Sequence, residues 1–166
     1  MVAVTLRSGG PQDFKAALAV FRAAETARLA GREASAVVEE RVRSHVENPA
    51  SFLTVAEVES EVVGMAVGMQ GLSDDGTGPP IEGLCHVGAV FVSPEHWGAG
   101  IGGRLVDRVL EEARARGYER AQLWTHADNL RARRLYEHRG FTHTGRKKEV
   151  DHGETIVHYA RRIAEA

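Results

Sequence analysis

One cysteine, three lysines and an aromatic content of only 6% are the scarcities of this 166-residue chain, and each excludes something. Cys85 alone cannot build an internal disulfide framework or a multi-cysteine zinc or iron–sulfur site, and it fits a reducing cytoplasm. The Lys and Arg residues number 21 against 23 Asp and Glu, a net charge of -2. That leaves no basic excess to neutralise phosphates, so nucleic acid is not an expected partner. No apolar run approaches the roughly 18 residues needed to span a bilayer, which excludes a membrane helix. Met1 to Ser8 has no apolar core of the signal-peptide kind, so the expectation is a soluble, unprocessed cytoplasmic protein. With 43% hydrophobic and 27% charged residues the composition is that of a globular protein, and the length suits one domain.

The patterning predicts an α/β domain. Val2, Val4 and Leu6 alternate as in a short strand, ended by Ser8-Gly9-Gly10-Pro11. Phe14, Leu18 and Phe21 recur at helical spacing, giving a helix from about 11 to 29 that Gly31 breaks. Val38, Val42 and Val46 mark a second helix stopping before Pro49. The Val-rich stretches 51–58 and 61–70 flank Glu59-Ser60 as a hairpin. Gly71 to Gly83, with Asp74-Asp75-Gly76 and Pro79-Pro80, reads as an irregular loop. Strand 84–92, helix 101–116, strand 121–125 and helix 131–139 follow. Strands 141–147 and 155–161 then close around a turn at Asp151-His152-Gly153. The sum is a single domain with a mixed, mostly antiparallel sheet of about seven strands flanked by about four helices.

The densest chemical signal lies between strand 84–92 and helix 101–116. Four of the six residues Gly98-Ala99-Gly100-Ile101-Gly102-Gly103 are glycine, so the backbone can bend sharply and bring N–H groups to a ligand at the positive end of a helix. That is a pyrophosphate site in outline; a merely tight turn needs only one or two glycines. Gly98, Gly100 and Gly103 match the dinucleotide-binding spacing, but five residues separate them from the strand and only 63 residues follow. An ATP-type loop fails too, because Arg104 and Leu105 stand where its Lys and Ser/Thr would be.

With the next forty residues, this segment resembles the GNAT superfamily of acyl-CoA N-acyltransferases. Gly100-Ile101-Gly102 fills the glycine half of that family's Arg/Gln-x-x-Gly-x-Gly/Ala motif, and Trp97 takes the Arg/Gln place. Asp128-Asn129-Leu130-Arg131-Ala132-Arg133-Arg134-Leu135-Tyr136-Glu137-His138-Arg139-Gly140-Phe141 is similar to the family's run of Asn, helix, Tyr and Gly-Phe. The resemblance covers the whole element order and is specific over roughly residues 87–141. It implies an N-acetyltransferase that moves an acetyl group from acetyl-CoA to an amine by direct attack in a ternary complex, without a metal. The cofactor would lie along Val90, Phe91 and Val92 and on Gly98, Ala99, Gly100, Ile101, Gly102 and Gly103, with Asn129 bonding it. A backbone N–H of the strand ending at Phe91-Val92 would hold the oxyanion, and Tyr136 would protonate the departing thiolate.

Each residue also has a plainer use. Asn129 stands where an N-cap belongs, and Tyr136, seven positions later on the same helix face, could simply pack on the sheet. Some relatives place a general base on the strand before Asn129, but here Trp124 occupies that position. Glu82 and His86, flanking the start of the central strand, are the candidates, with a water chain as the alternative. Cys85 beside His86 could be a nucleophile, but a small strand residue is the simpler reading. The pairs His138/His143 and His152/His158 lack metal-ligand spacing and read as surface residues. Arg131, Arg133, Arg134 and Lys147-Lys148 read as solvated faces, with the cofactor's ribose 3′-phosphate as a second use. Asp74, Asp75 and Glu82 would suit a cationic acceptor, a small molecule or a peptide N-terminus; a homodimer is compatible with the chain. A noncatalytic acyl-CoA-binding domain on the same fold is the alternative, and Tyr136 argues against it.

Overall fold

In a computed structural model, which describes residues 3–150 and 153–164, the chain forms a seven-stranded mixed sheet in the order β1-β2-β3-β4-β5-β7-β6. The strands are β1 (Thr5–Ser8), β2 (Phe52–Val58), β3 (Glu61–Leu72), β4 (Pro80–Val92), β5 (Arg120–His126), β6 (Thr142–Val150) and β7 (Glu154–Arg162). The α-helices among the described residues are α1 (Phe14–Arg28), α2 (Ala36–Glu47), α3 (Ile101–Ala115) and α4 (Leu130–His138). Strand β4 runs parallel to β5, while β1–β2, β2–β3, β5–β7 and β6–β7 are antiparallel. No described helix is long and apolar enough to cross a membrane. The chain divides into two compact units, one of Met1–Met69 with Gly88–Val109, the other of Gln70–Val87 with Leu110–Ala166.

In the first unit the helical period places Ala17, Leu18 and Phe21 of α1 and Val42 and Val46 of α2 on one apolar cluster with Val55 and Met65 of the sheet. Phe21 is fully buried and meets Phe91 edge to face at 5.0 Å. Ser35 starts α2 by accepting a hydrogen bond from the Val38 N–H at 3.2 Å, one of the donors a helix start leaves over. Gly31, at φ +94°, supplies the left-handed residue that follows α1. The β2–β3 hairpin turns on Glu59 and Ser60, both at positive φ, the twist that a two-residue hairpin loop requires. Arg7 joins β1 to the start of α1 through two bonds to Asp13, at 2.9 and 2.8 Å, and a third to Glu57.

In the second unit β5 alternates strictly. Ala121, Leu123 and Thr125 are buried, and Gln122, Trp124 and His126 are half-buried on the other face. Register puts His86 opposite Gln122 and His158 opposite Trp124, so these side chains share that face. The helix α4 ends at Gly140, φ +83°, where the Phe141 N–H donates to the Tyr136 carbonyl at 3.1 Å.

Three sequence expectations change. Gly71 to Gly83 is not an irregular loop: β3 continues to Leu72 and β4 begins at Pro80, leaving 73–79 as the connection. The Gln70 amide nitrogen links the two strands of this extension, 2.9 Å from the Gly71 carbonyl and 2.8 Å from that of Ile81, with the Leu84 carbonyl at 3.3 Å, and Pro80 is tolerated as the first residue of its strand. Arg133 is more than a solvated face: it is half-buried and donates to the Tyr159 hydroxyl at 3.0 Å and the Ala127 carbonyl at 2.8 Å. His158 is buried rather than on the surface. Of the expected closing turn, Asp151 and His152 lie outside the described residues, as does the His152 side chain.

Candidate functional site

The glycine turn belongs to the first unit. Ser93 is buried and anchored, its N–H donating to the Val63 carbonyl at 2.8 Å, and one 3-10 turn (Pro94–His96) then leads to an exposed segment from Trp97 to Gly100. Gly98 and Gly100 have φ of +85° and +81°, which a side chain would disfavour. A Cβ placed on Gly100 would meet nothing within 4 Å, so the glycine serves the backbone conformation and leaves open space above it. The first intrahelical bond of α3 runs from the Arg104 N–H to the Gly100 carbonyl at 3.2 Å. The N–H groups that precede this bond lie at the positive end of the helix. Trp97, in place of a longer polar side chain, folds back and donates its indole N–H to the Val92 carbonyl at 2.7 Å. Phe91 is half-buried and packs its ring on Phe21.

The second unit carries the side-chain chemistry. Tyr136 is buried on α4, 6.0 Å from the Phe141 ring and 6.5 Å from Tyr159. Among the described residues its hydroxyl has no hydrogen-bond partner, and burial holds the phenol far above its usual range. It is a fully protonated donor at neutral pH. The neighbouring Tyr159 differs: its hydroxyl donates to Glu137 at 2.6 Å and accepts from Arg133, a settled structural arrangement. Asn129 is the N-cap of α4, its Oδ1 accepting from the Ala132 N–H at 3.2 Å.

Of the two base candidates, both lie within β4 rather than flanking its start, because the strand begins earlier than its sequence suggests. Glu82 is exposed, and its carbonyl accepts from Arg120 at 2.9 Å. His86 is half-buried, with Gln122 Nε2 at 3.4 Å from its Nδ1. Cys85 between them is fully buried. Trp124 lies 4.9 Å from the His158 ring and is covered by Arg146 and Lys148 at 5.2 and 4.6 Å. Asp75, itself exposed, pairs with both cations, at 3.4 and 3.7 Å. Among the described residues, no group of three His, Cys, Asp or Glu is arranged to hold a metal ion.

Sequence reasoning missed Gln122, Thr144 and the burial of His158. The alternation along β5 was a signal for Gln122. Only the strand register brings it to His86 and His158.

The described residues thus combine a mixed α/β sheet, a glycine-rich turn opening a helix after its central strand, and an Asn-capped helix bearing a buried tyrosine. The model of the acetyltransferase (GNAT) family matches residues 18–141, three quarters of the chain, and the protein belongs to that family. Its curated relatives include mycothiol acetyltransferase of Beutenbergia cavernae, 51% identical over 51 residues, which are 31% of this chain and 17% of that protein. The chain thus spans less than a fifth of that relative's length. Among solved structures, the ribosomal-protein-S18-alanine N-acetyltransferase of Escherichia coli superposes with a TM-score of 0.76 at 19% identity, covering 99% of this chain and 96% of that one. A Salmonella typhimurium protein assigned as an acetyltransferase and solved with its cofactor acetyl-CoA gives 0.75 at 22% identity, over 99% and 96% of the two chains.

Proposed function

We propose that the protein is an N-acetyltransferase that takes the acetyl group of acetyl-CoA to an amine by direct attack in a ternary complex. The observation that carries this reading is the exposed glycine turn, whose left-handed Gly98 and Gly100 set the backbone donors ahead of α3. Such a turn suits a pyrophosphate, and the acetyl-CoA in the Salmonella typhimurium structure supports acetyl-CoA as the ligand proposed here. The neutral amine attacks the thioester carbonyl, a C–N bond forms, and the oxyanion is held by a backbone N–H from Val90 to Val92. Collapse breaks the C–S bond, and Tyr136 gives its proton to the thiolate. The amine's proton passes to His86 or Glu82, directly or through one water, because an alkyl amine with a pKa near ~10 is charged at neutral pH. Asn129 Nδ2 bonds the pantetheine arm. The acceptor is a small-molecule amine or a peptide N-terminus, and the reaction belongs to the cytoplasm.

Calorimetry tests the cofactor assignment. Acetyl-CoA and CoA should bind and NAD should not, and Gly100→Asp should weaken acetyl-CoA by at least about tenfold, the scale of one lost charge-assisted contact. Gly117→Asp is the control, since Gly117 has the same left-handed φ and the same open surroundings, at the other end of α3. Equal affinity in a folded Gly100→Asp protein would move the pyrophosphate off this turn. An acceptor screen that reads free CoA then identifies the amine.

A further inference from the structure

The half-buried face of β5 carries two cations that the reaction described so far does not use. Arg146 and Lys148, two positions apart on β6, both reach the Trp124 ring, at 5.2 and 4.6 Å from its centroid. Beside the indole stands His158, opposite Trp124 in register and engaged at both ring nitrogens. Thr144 Oγ1 lies 2.8 Å from its Nδ1, and Gln122 Oε1 lies 2.9 Å from its Nε2. His158 is therefore part of the floor of this patch rather than a ligand group. Contact with the indole also restrains the two long cationic side chains, whose freedom an ion pair must otherwise overcome.

The charge of the patch is not balanced. Asp75 offers one carboxylate to both cations, and the same oxygen, Oδ1, lies 3.4 Å from Arg146 and 3.7 Å from Lys148. Glu154, further along β7, lies 3.3 Å from His126 instead. His158 feels the excess: its burial lowers its pKa first, Arg146, His143 and Lys148 lower it further, and only Asp75 opposes them. The pairs with Asp75 are also open to water, since 57% of the Arg146 side chain, 36% of Lys148 and 55% of Asp75 are exposed. Exposed pairs of this kind contribute little stability, so another anion can replace the carboxylate at small cost.

We propose that Trp124, Arg146 and Lys148 bind a carboxylate of the acceptor, and that Asp75 is the internal carboxylate which it displaces. The inference rests on the N-acetyltransferase reading and names the acceptor class, an amine that also carries a carboxylate. His86 pairs with Gln122 across β4 and β5, so it stands one strand across and two positions along from Trp124. Strand spacing and rise make that separation about 8 Å. With His86 taking the amine's proton, the amine and the carboxylate of the acceptor lie about that far apart. An α-amino acid is too short to span it. A peptide N-terminus with an acidic side chain two residues on is long enough, since each extended residue reaches about 3.3–3.6 Å, and so is an unbranched ω-amino acid.

NMR of the indole N–H signals tests this on the intact protein without reference to turnover. The chain has two tryptophans, and Trp97→Phe assigns the signal of Trp124. The probes are two matched pairs: Ala-Ala-Glu against Ala-Ala-Gln, both with amidated C-termini, and ε-aminocaproate against its amide. The acid of at least one pair should shift the Trp124 signal saturably, with a Kd at least about fivefold below that of its amide, the scale of one exposed ion pair. Which pair responds distinguishes a peptide from a small molecule. Asp75→Asn removes the competing charge and keeps a residue that tolerates the left-handed φ of +53° found there. It should tighten the acid several-fold and leave the amide unchanged. Lys148→Gln and Arg146→Gln should each weaken the acid. Equal affinity for acid and amide in both pairs, or no response of Trp124 to either acid, would overturn the proposal. So would Asp75→Asn binding the acid no more tightly than the unmodified protein; should that variant not fold, Lys148→Gln and Arg146→Gln decide, and the proposal falls if neither weakens the acid. The acetyltransferase reading fails separately, if the acid binds as stated and yet releases no free CoA from acetyl-CoA.

Discussion

The apolar cluster under α1 and α2 and the polar face of β5 and β7 are made of opposite materials. Around Phe21, Val55 and Met65 the first unit buries side chains with no polar atom, so the fit depends on volume alone. The turn at 98–103, proposed above as the pyrophosphate site, is a matter of backbone conformation, with Gly98 and Gly100 at positive φ. The second unit buries His158 and Tyr136 and half-buries Gln122 and His86, whose contribution depends on which atom donates to which. Volume errors damage the first kind of region, and errors in hydrogen-bond direction damage the second.

The largest effect should come from a volume error. Phe21→Ala removes a fully buried ring and its contact with Phe91, and should cost about 3–5 kcal/mol in denaturant unfolding. A cost below about 1 kcal/mol would mean that the cluster collapses around the cavity and is less tightly fitted than its burial suggests.

Next is a direction error at the phenol. Tyr136→Phe keeps the ring and deletes the proton, and should lower kcat by about 10²-fold with acetyl-CoA affinity nearly unchanged. Because the hydroxyl has no hydrogen-bond partner among the described residues, unfolding stability should hardly fall. Equal kcat in the two proteins would leave Tyr136 as a packing residue, making α4 resemble the apolar cluster.

The third effect concerns pH. Burial and the neighbouring cations hold His158 at about 4 in the folded protein, against 6.5 for an ordinary histidine. The unfolded chain therefore binds the proton first, so stability is full above about 6.5 and falls as the pH drops toward about 4. His158→Gln should flatten that part of the stability-against-pH curve. An unchanged slope would assign the acid sensitivity to carboxylates such as Asp13, which Arg7 holds below its usual range.

The smallest effect separates the two uses of Asn129. Asn129→Ala should cost about 1 kcal/mol through the lost cap, while Asn129→Asp should keep the cap. If the amide nitrogen bonds the pantetheine arm, both variants should weaken acetyl-CoA. Weakening by alanine alone would reduce the residue to its capping role.

Much of the fold was legible because periodicity is local. Phe14, Leu18 and Phe21 marked α1 at helical spacing, and the Val-rich segments around Glu59-Ser60 marked the first hairpin. The loop from Gly71 to Gly83 was misread because its Gly and Pro residues outweighed pattern, whereas the Gln70 amide nitrogen links the two strands that extend into it. Arg133 was misread for a related reason: its partners Ala127 and Tyr159 include one distant in sequence, and nothing in a run of arginines tells which one turns inward.

By itself the sequence determined the order of elements, the glycine turn ahead of α3 and the Asn129–Tyr136 helix, since each depends on residues within a few positions of one another. Only the tertiary structure decided that His158 is buried, that Asp75 pairs with Arg146 and Lys148, and that Gln122 stands between two histidines. The place of Gln122 follows from strand register, which pairs His86 with Gln122 and Trp124 with His158 across 36 and 34 positions of chain. A shift of one residue would turn each of these side chains to the opposite face.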